Sequence, residues 1–356
     1  MRTAWRMLVT HKRLLEWNPS SDLDRNRRTD LAASCRTMWI APVLATAAAI
    51  YLALLRPVAL GVTGPILSLW FASPAIAWWT SRPLPRRGTT LTADQTLFLK
   101  KLSRKTWAFF ETFVGPEDHW LPPDSYQEYS AAVVGHRTSP TNMGLALLAN
   151  LSAYDFGYIL AGQLIERTAN AFHTMEALER HQGHFYNWYD TQSLKPLQPT
   201  YISTVDSGNL AGHLLTLRPG LLALPDHQIL GARLFDGLSD TLRILVDVAG
   251  ETAPAALVQL QKDLGSASAS GPTSLAAARL YLGQLATSAA EVEGSLDADP
   301  ESQAKWWAHA FARQCQGALD ELTFLAPWTL LMASQNRVSD FRGIDKIPTL
   351  RELARH

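Results

Sequence analysis

Two long apolar segments stand out in the first quarter of the chain. Residues 38–55 carry no charged side chain, and after Arg56 residues 57–81 carry none either. Each segment is close to the roughly 20 apolar residues that a helix needs to cross a bilayer. Two such segments separated by a single charge predict a transmembrane helical hairpin. Buried core helices of a soluble domain are the alternative interpretation.

Basic residues flank this predicted hairpin on both sides. Those before and after it are Arg25, Arg27, Arg28, Arg36, Arg82, Arg86, Arg87, Lys100, Lys101, Arg104 and Lys105. The connecting turn carries only Arg56. By the positive-inside rule both ends of the hairpin face the cytoplasm, so the large C-terminal part is predicted to be cytoplasmic.

The rest of the chain shows the apolar spacing of helices. Thr92 with Gln95 forms a capping-box pattern, and Ser139 before Pro140 favours the start of another helix. The spacing predicts helices at 92–114, 139–151, 160–180, 208–217, 221–248, 252–264, 275–296 and 303–332. Because no strand alternation occurs, the predicted fold class is all-α, a transmembrane hairpin followed by an antiparallel helical array of the kind found in α/α barrels.

The same pattern divides the chain. The expected domains are a basic cytoplasmic lead at 1–36, two transmembrane helices at 37–81, a linker at 82–91 and a helical domain at 92–356. Within the last of these, two polar and aromatic loops each precede an apolar helix, and one amphipathic helix runs back between them. An antiparallel array therefore places both loops at the same end.

Composition and charge narrow the partners and cofactors. Lys and Arg balance Asp and Glu at 32 against 32, so overall charge does not favour a nucleic-acid partner. Cys35 and Cys315 lie far apart, which favours neither a disulfide framework nor a thiolate metal site. His181 and His184 have helical spacing without a nearby third ligand. No metal and no cofactor is expected.

The two loops hold the candidate chemistry. Aromatic faces interleaved with short amides and carboxylates suit sugars, which stack an apolar face on rings and hydrogen-bond at their rims. The residues predicted to line a sugar path are Asp124, His136, Arg137, Asn142, Asn187, Trp188, Tyr189, Asp190, Asp206 and Asn209.

Two of these residues are the candidates for catalysis, although no catalytic role is assigned. Asp190 and Asp206 could form an acid/base pair, since glycoside chemistry uses two carboxylates about 5–10 Å apart. Asp206 or Ser207 could instead cap the helix at 208–217, whereas Asp190 has no obvious capping role.

The other candidates also have structural alternatives. The Asn187-Trp188-Tyr189 run could pack beneath the loop rather than contact a ligand. Arg137 could donate to an oxygen-rich ligand or pair with Asp124 or Glu128 to hold the loop.

Several stretches together resemble the cyclic β-1,2-glucan synthases, large bacterial inner-membrane proteins. The matching strings are TWAFFETFVGPEDHWLPPDSYQE, GHRTSPTNMGLALLAN, DFGYI, GHFYNWYDT, STVDSGNLAGHLL and FLAPW. The resemblance extends from LLEW at Leu14 to IPTLREL near the C-terminus.

This resemblance implies a position within a larger enzyme. The chain would join the last membrane hairpin of the glucose-polymerising part to the first half of a glycoamylase-like transglycosylation domain, as a fragment with a partial (α/α)6 barrel. The acidic and Trp motifs of the polymerising part are absent from this sequence. The family's catalytic carboxylates are expected beyond residue 356, so whether the chain is itself an enzyme stays open.

The expected function is to bind β-1,2-glucan for retaining transglycosylation, the cyclisation step, in the intact enzyme. The expected location is the bacterial inner membrane, with a multi-pass anchor. The expected partners are β-1,2-glucan, the lipid bilayer and the remaining domains of the synthase. The alternative is a non-catalytic helical module that binds or scaffolds glucan at the membrane, and a competent carboxylate pair within the chain would distinguish the two.

Overall fold

The computed structural model describes residues 31–81, 91–128, 132–250, 254–270, 272, 274–296, 302–330 and 347–355. Most of the predicted basic lead and of the predicted linker lies outside these residues. The chain divides into two compact units, Met1–Thr90 and Leu91–His356.

The described residues of the first unit, 31–81, form three helices. Helix α1 (Leu31–Thr37) precedes α2 (Ile40–Leu55), and Arg56 alone joins α2 to α3 (Pro57–Thr80), which packs along it. Pro57 fits the first turn of α3 because the amide that proline lacks has no partner there. Large apolar side chains point outward, and Val58 is 91% exposed.

Among the helices of the described residues, α3 alone has both the length and the composition to cross a membrane by itself. Helix α2 has 16 residues, about 24 Å, which is shorter than a bilayer core of about 30 Å. It passes the same test only together with α1, from which it is bent by 68°. The described residues therefore contain one candidate span, or two if the bent pair counts as one.

The second unit is almost entirely helical. The helices in its described ranges are α4 (Ala93–Phe113), α5 (Pro140–Asp155), α6 (Ala161–Ala177), α7 (Thr204–Ala223), α8 (Ala232–Ala249), α9 (Ala255–Ser270), α10 (Leu275–Ser295), α11 (Gln303–Leu325) and α12 (Leu350–Leu353). The predicted all-α fold class is confirmed.

The strands in the described parts of the chain have two residues each and lie in the loops. They form three antiparallel pairs: β1 (Tyr126–Gln127) with β2 (Val133–Val134), β3 (Arg137–Thr138) with β6 (Tyr189–Asp190), and β4 (Arg180–His181) with β5 (His184–Phe185).

Two predicted helix starts are confirmed by their capping bonds. The Thr92 amide donates to Gln95 Oε1 at 3.0 Å, and the Gln95 amide donates to Thr92 Oγ1 at 3.2 Å. Ser139 Oγ accepts from the Asn142 amide at 3.3 Å, with Pro140 in the first turn of α5. Both pairs satisfy amides that a helix start leaves without intrahelical partners.

The predicted cap of α7 is wrong. Ser203, not Asp206 or Ser207, caps this helix, because Ser203 Oγ accepts from the Asp206 amide at 3.1 Å. The helix therefore starts at Thr204, four residues before the predicted Gly208. This shift places the Asp206 side chain in the first turn, free for contacts with other elements.

The predicted helix at 221–248 is also wrong, because it is interrupted. A 3₁₀ turn at Leu224–Asp226 follows α7, and the next residues run extended until α8 begins at Ala232. In this interruption between α7 and α8, the Ile229 amide donates to the Pro348 carbonyl at 3.0 Å. The non-helical residues thus bind the segment that precedes α12. The last predicted helix, 303–332, ends early at Leu325, two residues before Pro327, which disfavours helical backbone at the residue preceding it.

One charge counted for the membrane orientation is buried. Arg104 on α4 is 1% exposed, pairs with Glu111 at 3.0 Å and donates to Thr241 Oγ1 on α8 at 2.8 Å. Lys101 also pairs within the unit, with Asp247 of α8. These cations hold α4 against its neighbours, so they are not free charges beside a membrane.

The described residues of the second unit form three hydrophobic cores, one of which lies between α4, α5 and α6 around Trp107, Tyr154 and Leu164. The largest one fills the space between α8, α9, α10 and α11, where Leu238, Leu282 and Phe311 are almost completely buried. A smaller core lies between α5, α6 and α7, and it includes Leu147 and Leu217. The long loops cover this core of α5, α6 and α7, so it forms the floor beneath the predicted sugar path.

Glycines permit a close backbone approach between α8 and the turn that joins α5 to α6. A Cβ on Gly237 of α8 would lie 2.2 Å from the carbonyl oxygen of Gly157, in the turn between α5 and α6. Gly157 itself has a φ of 74°. By contrast, a Cβ on Gly283 of α10 would meet nothing within 4 Å.

We expect Gly237→Ala to lower the free energy of unfolding by about 2 kcal/mol or more, since the clash is with backbone. Gly283→Ala should raise it by about 0.5–1 kcal/mol through helix propensity. Thermal unfolding of the full chain in detergent, followed by circular dichroism, measures both. Equal effects of the two substitutions would contradict the close approach of α8 to the α5–α6 turn.

Candidate functional site

The two long loops meet through β3 and β6. Arg137 lies opposite Asp190 and Thr138 opposite Tyr189 in this antiparallel pair. The pairing joins the loop that precedes α5 to the loop that precedes α7. The prediction that both loops lie at the same end of the helices is confirmed.

A closed ring of hydrogen bonds between side chains and backbone also joins the two loops, next to the β3–β6 pair. The buried Asp118 carboxylate contacts His136 Nδ1 at 2.8 Å and accepts from the Thr191 hydroxyl. The Thr191 amide donates to the His136 carbonyl at 3.0 Å, and its own carbonyl accepts from His119 Nδ1 at 2.9 Å. The predicted ligand contact His136 therefore has a structural use, with 39% of its side chain still exposed.

Arg137 is held on the open side of the junction. Its Nε and Nη2 donate to Asp124 Oδ2 at 3.1 and 2.8 Å, which confirms the predicted alternative of an Arg137–Asp124 pair. Asn142 Nδ2 donates to the other oxygen of Asp124 at 3.3 Å. The guanidinium carbon lies 4.9 Å from the centre of the Trp188 ring, a cation–π distance.

A second polar group surrounds Asp206 at the start of α7. Thr141 Oγ1 on α5 donates to Asp206 Oδ1 at 2.6 Å and accepts from Asn209 Nδ2 at 3.1 Å. Partial burial alone would raise the pKa of the Asp206 carboxyl. Hydrogen bonds from the hydroxyls of Ser203, Thr141 and Ser139 together outweigh it and hold that pKa below its ordinary value of 3.8.

Asn187 links Asp206 to the aromatic loop. Its amide is satisfied when the nitrogen donates to Asp206 Oδ2 at 2.9 Å and the oxygen accepts from Tyr201 at 2.8 Å and from Trp188 Nε1 at 2.7 Å. Asn187 is buried, with 6% of its surface exposed. Its part in the site is thus to support other residues.

Asp190 forms a local turn. Its Oδ1 accepts from the Ser193 amide at 2.7 Å, from the Ser193 hydroxyl at 2.8 Å and from the Gln192 amide at 3.1 Å. The Ser193 amide is the main cause that holds the pKa of Asp190 below its ordinary value, against a smaller opposing effect of burial. The turn is a structural role that the sequence did not indicate.

These environments bear on the hypothesis of an acid/base pair. A general acid in glycoside chemistry needs a raised pKa, so that it is protonated at working pH. The pKa values of Asp190 and Asp206 are both lowered. Asp124 is ion-paired with Arg137. The pKa values of Asp190 and Asp206 therefore lie on the opposite side of the ordinary value from that of a general acid.

Tyr189 does not belong to the open surface. Its ring is fully buried, and its hydroxyl donates to the Glu179 carbonyl at 2.7 Å while accepting from the Tyr186 amide at 2.8 Å. Burial raises the pKa of this hydroxyl to about 12. Tyr189 thus packs beneath the loop, as in the alternative interpretation of this run.

The residues of the site that were not predicted include Asp118, His119, Thr141, Thr191 and Tyr201. Their roles depend on side-chain contacts between residues that are not neighbours in the sequence, for which the local pattern gives no signal. The cap at Ser203 did have a signal, because Ser203 stands three residues before Asp206, the spacing of a helix N-terminus.

Comparison with known proteins shows which proteins the chain is similar to. No protein-family model matches the chain. Over 256 residues, 70% of its length, the chain is 35% identical to the cyclic beta-(1,2)-glucan synthase NdvB of Rhizobium meliloti (strain 1021). The chain is a relative of part of a cyclic β-1,2-glucan synthase. The matched stretch spans 9% of that much longer protein. The resemblance noted from the sequence is thereby confirmed.

A solved structure from Bacteroides fragilis NCTC 9343, provisionally described as a glucoamylase, has a slighter likeness. It is 17% identical, covers 51% of this chain and 37% of its own, and has a TM-score of 0.26, too low to support a conclusion. Within the described ranges, no group of three His, Cys, Asp or Glu side chains could hold a metal ion.

We expect Asp206→Asn to lower the free energy of unfolding at pH 7 by about 1 kcal/mol, because its bonds with Thr141 and Asn187 weaken. Since folding lowers the pKa of Asp206, its ionised form stabilises the fold above about pH 4, and this stabilisation is lost as the pH falls below 3.8. The difference between variant and wild type should therefore shrink at pH 3. Denaturant titrations at both pH values measure it, with Glu176→Gln on the exposed face of α6 as control. A difference that grows toward pH 3 would contradict this role.

Proposed function

We propose that this chain binds β-1,2-glucan within a larger cyclic β-1,2-glucan synthase, and that its loop carboxylates support the binding surface. The observation that carries the proposal is the half-buried Trp188 ring at the junction of the two loops, with Arg137 over one face and Asn187 at its edge. The relationship to a synthase of cyclic β-1,2-glucan supplies the class of substrate.

The chemistry of the surface matches a sugar chain. An indole face buries the apolar face of a pyranose, and nearby amides and carboxylates bond with the hydroxyls at its rim. Trp188 lies in one loop, and the Arg137 that covers its ring is bonded to Asp124 of the other loop. Asn142 of α5 donates to the same Asp124. Asn209 and Tyr201 are exposed around the same group. A glucan lying along the loop junction would contact all of these elements.

The environments of the carboxylates favour binding over catalysis by this chain. Asp124, Asp190 and Asp206 each accept two or more hydrogen bonds from protein groups. Such carboxylates hold loops in place, and they are poorly suited to give up a proton to a leaving sugar oxygen. The proposed division is that this chain positions glucan while carboxylates elsewhere in the synthase carry out transglycosylation, the cyclisation step.

The first unit supplies the proposed anchor. Helix α3 is long and apolar enough to span a bilayer, and α2 packs against it with exposed apolar side chains. We propose that this hairpin tethers the glucan-binding unit to the bacterial inner membrane on the cytoplasmic side. In that position the unit would receive glucan beside the membrane-bound parts of the synthase.

We expect the full chain in detergent to bind linear β-1,2-glucan, and Trp188→Ala to weaken binding about tenfold through loss of the stacking surface. Isothermal titration calorimetry measures the dissociation constants. Phe324→Ala on α11 is the matched control, because this aromatic side chain is 83% exposed and belongs to a different surface. Absence of binding by the wild type would reject the proposal, as would equal losses in the two variants.

For the anchor, we expect the chain to stay in the membrane fraction after alkaline carbonate extraction. Leu69→Arg at the middle of α3 should release part of it, since a central Arg costs about 2.5–3.5 kcal/mol on insertion. Leu69 is 61% exposed, and Leu280→Arg on α10, at a site 60% exposed, is the control. Release of the wild type, or equal release of both variants, would contradict membrane insertion by α3.

A further inference from the structure

The Trp188 side chain is fixed on two sides. Arg137 covers one face of its ring at 4.9 Å, and Asp124 holds that guanidinium through two hydrogen bonds. At the edge of the ring, Nε1 lies 2.7 Å from the side-chain amide of Asn187. Among the described residues, no second cation or aromatic ring stacks on Trp188.

The types of donor and acceptor determine how the amide is oriented. An indole Nε1–H can only donate, so the Asn187 atom beside it must be the oxygen. The amide nitrogen then points at Asp206 Oδ2, 2.9 Å away, and a carboxylate oxygen accepts this bond. Asp206 therefore sets the orientation of Asn187, and Asn187 in turn sets that of the Trp188 ring.

Asp206 is itself held firmly. It lies in the first turn of α7, where the helix dipole favours a negative charge, and its other oxygen accepts from Thr141 at 2.6 Å. The sequence Asp206–Asn187–Trp188 thus runs from a helix end, through a buried amide, to an indole at the loop surface. Tyr201 donates to the same Asn187 oxygen at 2.8 Å and completes its hydrogen bonding.

We propose that Asp206 is a positioning residue that acts through Asn187 to hold the Trp188 ring as a one-sided platform for a sugar. This inference rests on the proposed glucan binding and deepens it. Because Arg137 occupies one face of the indole, a glucose unit stacks on the opposite face. Asp206 then contributes to affinity only through the orientation of the ring, without a contact to glucan or a step in bond cleavage.

The test is a double-mutant cycle on the full chain in detergent, with calorimetric titration of linear β-1,2-glucan. The variants are Asp206→Asn, Trp188→Ala and their combination, with Asp320→Asn on the exposed face of α11 as the matched control. In parallel, the chain is labelled with 5-fluorotryptophan, and the resonance of Trp188 among the 12 tryptophans is assigned from its absence in Trp188→Phe.

We expect Asp206→Asn to shift the Trp188 fluorine resonance without glucan and to weaken binding about three- to tenfold. In the Trp188→Ala background, the same change should alter affinity less than about twofold, and Asp320→Asn should change neither quantity. An equal loss of affinity in both backgrounds would overturn the proposal, because Asp206 would then act independently of the ring.

The fluorine resonance of Trp188 tests the effect of Asp206 on the ring independently of the proposed glucan binding. If the wild type binds no glucan while Asp206→Asn still shifts the resonance, the proposed function fails and the control of the ring by Asp206 stands. An unchanged resonance overturns that control, whatever the binding results show.

Discussion

The guanidinium of Arg167 on α6 joins the elements on which the site is built. It donates to the Phe110 and Val114 carbonyls at the end of α4, at 2.9 and 3.0 Å, and to Asn150 Oδ1 on α5 at 3.2 Å. The Phe110 carbonyl also accepts from the Val114 amide at 3.1 Å, whereas the Val114 carbonyl lies just past the last turn of α4. One arginine thus adds donors at the end of α4 and fixes this end to α6 and α5. The ring of Trp120 lies 5.5 Å from the same guanidinium, which fixes the start of the first long loop.

A short series of contacts that begins at Trp120 connects the loop that precedes α5 to the loop that precedes α7. Trp120 follows directly after Asp118 and His119, whose side chains bond with His136 and Thr191 beneath the β3–β6 junction. The loops therefore need no extensive sheet, because side chains and two strand residues on each side hold them together. If this surface binds glucan as proposed, its order without a ligand would reduce the conformational entropy lost on binding.

Local signals in the sequence predicted much of this structure. Thr92 and Ser139 start helices as their side chains indicate, and the alternation of loops and apolar helices gave the correct end of the array for both loops. Such local signals did not predict the contacts between segments that are distant in the sequence. Tyr189 looks like a surface aromatic in a polar loop, yet it is fully buried because the loop folds over the core of α5, α6 and α7.

Because the sequence does not show contacts between distant segments, the carboxylates looked catalytic from the sequence. Acidic residues in an aromatic loop resemble an acid/base pair, and only the structure shows how many donors surround each one. Asp190 closes a turn, and Asp206 faces Thr141 and Asn187. Each donor that stabilises the ionised form lowers the pKa of the carboxyl, so at neutral pH the carboxyl carries no proton to donate as a general acid. The hydrogen bonds that order this surface thus oppose a role for Asp190 and Asp206 as proton donors. The stretch of the chain that matches the longer synthase corresponds to 9% of it.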